Sequence, residues 1–532
     1  MVAASQPLAV AAGLKILASG GNAADAAVGT AAALNVTEPT STGIGGDCFA
    51  LFFDASTHQV SALNGSGRAP AALSLDRLQR EGYGDELPVS HPYTITVPGA
   101  CAGWCDLIGR HGRLPMSAVL DPAISLAEEG FPVAPITAYF WARGAQRQLQ
   151  SAPGGQELTI DGRGPNPGEI FHNPGLARTF RSVAKLGQTG FYQGEIAEAI
   201  ANSIQHAGGC LEVEDLATHR STWEQPIQVA YRGFRIWECP PNGQGLAALL
   251  GLNILEGFDI TGIEPLSAER LHLEIEAMRL AFADTRWFAA DPETNPAPLD
   301  TLLSKDYAAQ RRKLIDRGRA VLDQSRGVPT SASDTVYLSV VDGEGNACSF
   351  INSNYMGFGT GIVPTRWGFS LQNRGHNFSL DPTHPNVIAP GKRPYHTIIP
   401  AMATRMRYKG DDDREEVDEL FACFGVMGGF MQPQGHLQVV VAMIDDDLDP
   451  QAALDRPRFC ITDGSSGGGV ALEEGIPVAE MSTLAQMGHR ITPVSGHARA
   501  TFGRGQIIIR DASQDVLWGG SDPRADGCAM SV

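Results

Sequence analysis

The chain has 532 residues, a net charge of −19, 43 % hydrophobic content and nine cysteines. That balance argues against a polyanionic partner, because nucleic-acid binding depends on clustered Lys and Arg that neutralise phosphates. No apolar run approaches the ~20 residues of a membrane span, and no linker of disordered composition divides the chain. One large folded unit is expected, although length alone suggests roughly three domains at ~150 residues each. The cysteines show neither CxxC nor a Cys/His metal spacing, so reduced, mostly buried thiols, a cytoplasmic address and no metal or cofactor are expected. Met1 to Ala12 lacks the basic n-region of a signal peptide.

Leu8 to Leu17 has helical apolar spacing that ends at Gly20-Gly21. Asn22 then caps a very Ala-rich helix through Leu34, whose small side chains imply close packing in a large core. A tight glycine turn comes next, at Gly43 to Gly46. Residues 48 to 64 alternate as a hairpin around Asp54 to His58. Residues 94 to 290 read as mainly helical with short strands: Thr96 to Gly99 leads into a helix, Pro122 to Gly130 forms another, and Pro240 to Gly245 precedes an apolar helix through Leu255. His272 and Glu276 share a helix face at i,i+4 and could bind a metal, but the HExxH pattern is missing. With Glu274, Arg279 and Asp284 on the same helix, an internal salt-bridge network is the expectation. The polar segment Lys313 to Ser333 has little periodicity and reads as a flexible approach to the strand that begins at Val336.

Val336, Leu338 and Val340 alternate with Tyr337, Ser339 and Val341, which describes a strand with two unlike faces. Asp342 to Asn346 turns the chain, and Ala347 to Ser353 returns as a second strand. A five-residue loop centred on Glu344 sets a register that places Thr335 opposite Ser353. Beyond this hairpin the chain is strand-rich, at 361 to 371, 398 to 407, 420 to 426 and 504 to 518, with helices near 433 to 443 and 478 to 487. The acidic runs Asp411 to Glu419 and Asp445 to Asp447 read as solvated turns.

GGNAADAAV near the N-terminus, Asp-Thr at a strand start, SVVD, a turn ending Gly-Asn-Ala, then FGTGIV closely resembles the γ-glutamyltranspeptidase family of N-terminal-nucleophile hydrolases. The resemblance spans essentially the whole chain. It implies an α+β, four-layer αββα sandwich from a precursor that cuts itself between Asp334 and Thr335, leaving a large subunit 1–334 and a small subunit 335–532 in one sandwich. An internal Thr hydroxyl is a poor nucleophile, but after cleavage its own α-amine, titrating near pH ~8, can serve as its base. By the same resemblance Ser353 hydrogen-bonds the nucleophile. Gly428-Gly429 falls at the family's oxyanion turn, where backbone N–H groups stabilise the charge that develops on the carbonyl oxygen by several kcal/mol, on the order of 3.

Departures from the family pattern bear on the substrate. Glutathione-cleaving relatives grip the amino-acid head of the donor with an Arg, an Asn, a Gln, an Asp and two Ser. The aligned positions here hold Ser66, Tyr355, Arg374, Asn377, His396 and Thr397, with Arg68 two residues beyond Ser66. Asn377 cannot pair a substrate ammonium, whereas Arg374, and Arg68 if it reaches the cleft, favour a carboxylate without an adjacent amine. Ser379 to Pro394 is too short for a lid loop. GSGRAP, PPNGQG, SNYMGFG, LQNRG and GGFMQPQGH resemble the branch that includes oxamate amidohydrolase and cephalosporin acylase-like proteins. The expectation is a small carboxylate-bearing amide as substrate, with the two fragments associated, a dimer of heterodimers allowed, and no nucleic-acid or membrane partner. The alternatives are γ-glutamyl transfer with glutathione hydrolysis, and a processed but inactive binding protein.

Overall fold

The computed structural model describes residues 1–84, 86–322, 335–408 and 416–532. Two antiparallel sheets lie face to face. The seven-stranded sheet runs Cys528–Met530, Val2–Ala4, Val336–Val341, Ala347–Ser353, Asp47–Asp54, Gln59–Gly65, Thr222–Glu224. The six-stranded sheet runs Val516–Ser521, Arg504–Asp511, Glu416–Met427, Ala401–Tyr408, Phe234–Glu238, Ile227–Tyr231. Each sheet draws strands from both sides of residue 334, so neither half of the chain could bury its apolar surface alone.

Alternation along the strands sorts side chains between layers. Phe49, Leu51, Phe53, Tyr337, Val341 and Ile351 of the first sheet meet Met402, Leu420, Cys423 and Ile508 of the second. The other face of the first sheet, with Val336, Leu338, Val340 and Phe350, is covered by the helices Pro7–Ala18, Ala23–Thr37, Ala100–His111 and Met116–Glu129. Outside the second sheet, Gly245–Leu255, Ala268–Phe288 and Met431–Ile444 close the core. The result is the expected αββα sandwich. The two unlike faces of Val336–Val341 are thus a helix-facing face and a sheet-facing face, and on the latter Tyr337 Oη shares hydrogen bonds with Ser339 (2.8 Å) and Ser349 (2.7 Å).

Local signals fall where the residues place them. Asn22 caps Ala23–Thr37 through a capping box with Asp25, and this helix is buried along its whole length because alanine and glycine let its neighbours approach. All nine cysteines are free thiols, and seven are buried. No helix among the described residues is long and apolar enough to cross a membrane. The helix Ala268–Phe288 carries the expected ion pairs Arg270–Glu274 (3.2 Å) and Arg279–Glu276 (3.4 Å).

Three expectations change. Residues 361 to 371 are not a strand: Gly357, Gly359, Gly361 and Gly368 all take positive φ, which curls the chain, and instead of a ladder there are isolated bonds such as Leu371 N–H to Ile362 O and Val363 N–H to Pro153 O (each 2.9 Å). The acidic runs are not simply solvated. Asp418 lies in a strand and pairs with Arg235 at 2.7 Å. Asp445 accepts from Tyr231 (2.6 Å) and pairs with Arg232 (3.0 Å), while Asp446 takes both Nη groups of the buried Arg270. Asp334, most of the segment Lys313 to Ser333, and Asp411 to Glu415 lie outside the described residues. Up to Leu322, that approach segment is docked, with Ala320 N–H donating to Met487 O at 2.7 Å and Val321 N–H to Glu276 at 3.1 Å.

Candidate active site

The hairpin register holds. Asn352 pairs with Val336 and Ala347 with Val341, which sets Thr335 opposite Ser353 at the open end. Their hydroxyl oxygens are 3.1 Å apart, and both residues are fully buried. Ser353 Oγ also accepts from the Tyr355 backbone N–H (2.9 Å) and from Arg374 Nη2 (3.3 Å). Tyr355 holds a left-handed backbone, φ 78°, which is unfavourable for a bulky side chain and is sustained only by its surroundings. Its hydroxyl donates to Asn377 Oδ1 at 2.6 Å, and its ring lies 4.3 Å beneath the Arg374 guanidinium.

Arg374 is the principal charge beside the hydroxyl pair. It is fully buried, its Nη1 donates to Thr397 Oγ1 (2.6 Å), and its Nε has no partner. Among the described residues no carboxylate lies within ion-pair distance of it. Burial pushes its pKa down to about 10, and the field of Asp47 works in the opposite direction. Asp47 faces Ser353 across the sheet and gathers the N–H groups of Gly67 (3.0 Å) and Gly99 (3.1 Å), the Gln372 amide (3.1 Å) and His396 Nε2 (2.9 Å). His396 is buried and driven down to about 3, first by desolvation and then by Arg374, so it is neutral and donates to Asp47. Hence His396 orients its surroundings; it carries no charge near neutral pH.

Gly428 and Gly429 link the strand Glu416–Met427 to the helix Met431–Ile444. Their φ values of 133° and 61° suit glycine alone. The Gly429 carbonyl is held by the Gln244 side chain at 2.7 Å, and Gln244 also grips Thr397 O at 2.6 Å. Among the described residues the N–H groups of Gly428 and Gly429 have no acceptor, which leaves them available to a developing oxyanion. Gly428 lines a cleft of about 520 Å³, together with Met356, Asn373 and Phe430.

The expected substrate residue Arg68, and Ser66 at the position aligned with the family's Arg, make other contacts. Ser66 is buried and donates to Asn64 Oδ1 at 2.6 Å. Arg68 is committed to Glu293 (2.7 Å) and Asp291 (3.3 Å). Residue spacing did not reveal Asp47 or Gln244; the strand alternation that puts Asp47 opposite Ser353 was the available signal for the first. Elsewhere His489 joins His272 and Glu276, with His272 Nδ1 and His489 Nε2 sharing a 2.8 Å hydrogen bond. Because the third residue is more than 200 positions away, helical spacing alone could not have found it.

A family model for gamma-glutamyltranspeptidase matches residues 9–532. Among curated relatives, the glutathione hydrolase-like YwrD proenzyme of Bacillus subtilis is 36 % identical over 100 % of this chain and 98 % of its own length. The oxamate amidohydrolase proenzyme of Klebsiella pneumoniae is 33 % identical over 99 % and 98 %. Among solved structures, a cephalosporin acylase from Bacillus halodurans superimposes with a TM-score of 0.91 at 46 % identity, covering 100 % of this chain and 95 % of that one. A match of this extent, on a sandwich whose central hairpin sets Thr335 beside Ser353, means that the chain belongs to the gamma-glutamyltranspeptidase family and is a hydrolase of the N-terminal-nucleophile type.

Proposed function

We propose that the chain cuts itself between Asp334 and Thr335, and that Thr335 then hydrolyses a small amide whose acyl group carries a carboxylate, as oxamate does. The observation that carries this reading is Arg374, a buried guanidinium without a carboxylate partner among the described residues, hydrogen-bonded to the same Ser353 oxygen that meets Thr335. A buried cation unmatched by an anion is costly unless a ligand supplies the charge. An acyl carboxylate next to the scissile carbonyl would do so.

The free Thr335 amine takes the hydroxyl proton while Thr335 Oγ1 attacks the amide carbon. Ser353 Oγ, which already accepts from Tyr355 N–H and Arg374, is set to donate toward Thr335 Oγ1 and hold its orientation. Gly428 and Gly429 N–H groups stabilise the oxyanion. The amine leaves with a proton, and water releases the acid from the ester. Tyr355 and Thr397 hold the guanidinium, Asn377 holds Tyr355, and Asp47, held in turn by His396, supports it electrostatically. Arg68 has no role in this reaction, since its guanidinium is spent on Asp291 and Glu293.

A γ-glutamyl donor presents an ammonium beside its carboxylate. Asn377 offers an amide where an Asp is needed, and Arg374 would repel that ammonium. The test is ammonia release from oxamate beside a γ-glutamyl chromogen, using the processed protein. Glutathione-type turnover that exceeds oxamate turnover would reject the reading.

A further inference from the structure

The cleft beside Gly428 has an unusual charge content. Its lining includes Arg143, Arg147 and His497 and, among the described residues, no Asp or Glu, in a chain whose net charge is −19. Several other surface arginines pair with carboxylates, as Arg113 does with Glu344 and Arg181 with Glu128. Among the described residues, neither Arg143 nor Arg147 lies within ion-pair distance of a carboxylate. A cleft that keeps cations and excludes anions in an acidic protein concentrates positive potential where a ligand enters.

Arg143 is also held in place, and Arg147 sits on an anchored turn. The helix Pro135–Gly144 runs into a π-helical turn, Ala145–Leu149, a feature often found at functional sites. From that turn the Gln148 amide donates to Met356 O (2.8 Å) and Gly359 O (2.7 Å), which ties the turn to the loop just after Tyr355. Arg143 Nη1 donates to Tyr139 Oη at 2.9 Å, and the Tyr139 ring stacks on His497 with centroids 4.5 Å apart. Arg143 therefore stands beside a flat aromatic wall, and Arg147 lines the same cleft as Gly428.

We propose that Arg143 and Arg147 form an anion-recognition subsite for the departing amine, so that the preferred substrate is an amide with a second carboxylate on a planar, apolar amine portion. This inference rests on the reading of Arg374 as partner of the acyl carboxylate. Arg374 is buried and bonded to Ser353, so an acyl group that ends on it must be short. Whatever extends into the open cleft then lies beyond the scissile bond, on the amine side. The reaction is ordinary hydrolysis: water adds across the amide to give the diacid and the free amine.

The test uses two chromogenic amides with one acyl group, N-oxalyl-4-nitroaniline and the N-oxalyl amide of 5-amino-2-nitrobenzoate, which differ by a carboxylate on the amine. Wild-type protein should show a KM about tenfold lower for the carboxylated amide, a gap that shrinks as salt rises, because exposed ion pairs are weak and screened. Arg143→Gln/Arg147→Gln should abolish the gap while turnover of the plain anilide stays unchanged. Equal KM values in the wild type, or a gap that persists in the double variant, would overturn the subsite. If neither anilide turns over, the reading of the acyl site fails, and calorimetry with the free amines judges the subsite alone. There 5-amino-2-nitrobenzoate should bind about tenfold tighter than 4-nitroaniline in the wild type only; equal affinity would overturn the subsite.

Discussion

Replacing Arg374 tests the substrate assignment most directly. Its guanidinium is fully buried, with Nη1 on Thr397 and Nη2 on Ser353, and no carboxylate among the described residues offsets its charge. A substrate carboxylate that docks there gains charge-assisted hydrogen bonds of about 1.5–3 kcal/mol each. Two such bonds, reduced by whatever the Arg374 contacts to Ser353 and Thr397 lose in sharing, leave about 3 kcal/mol, roughly a 100-fold effect on kcat/KM. Removal of the side chain also strips the Tyr355 ring of its cation, leaves Thr397 Oγ1 without its Arg374 donor and takes one of two donors from Ser353 Oγ, so a bare loss of activity would prove little. The assay therefore compares oxamate with its uncharged ethyl ester in wild type and Arg374→Ala, by ammonia release. The variant should lose about 100-fold on oxamate and less than about fivefold on the ester, with Arg374→Lys intermediate because it keeps the charge but loses the planar fork. An equal loss on both substrates would refute the carboxylate role and leave Arg374 as a structural support.

Thr335→Ala should run as one chain on a denaturing gel, whereas the wild type should give associated fragments of about 334 and 198 residues; an intact, fully active wild-type chain would dismiss self-cleavage. Ser353→Ala should slow turnover at least tenfold while lowering stability by only about 1 kcal/mol, the net worth of one hydrogen bond, and wild-type rates in a processed variant would remove Ser353 from the mechanism. Gly428→Ala meets both a φ of 133° and a Cβ contact of 3.1 Å with Gly503 Cα, so kcat should fall by about 100-fold or more, as expected when an oxyanion donor is displaced. Acid should destabilise the fold through His396: its folded pKa, about 3, lies below its unfolded value, so the unfolded chain binds the extra proton first, and stability is full above about pH 6.5 and falls as pH drops toward 3. Thermal unfolding of the uncut Thr335→Ala chain at pH 4 and 6.5 should show a smaller loss when His396→Gln is added.

The hairpin was legible in the residues alone, because a period of two and a loop of set length leave one register, and that register brought Thr335 to Ser353. Asn22 capped its helix and Gly428-Gly429 took positive φ for equally local reasons, since a cap needs a side-chain acceptor and such a turn needs a missing Cβ. Tertiary structure alone decided which distant charges meet. Arg68 found Asp291 and Glu293, Asp446 found Arg270, Asp47 took up His396, and Arg374 was left without a carboxylate among the described residues. Residues 361 to 371 curled away from the ladder because glycines permitted it and no neighbouring strand enforced pairing. Chain spacing encodes backbone period and turn chemistry, but the energy of a charge depends on what folding brings within a few ångströms of it, and no local pattern of residue types carries that information.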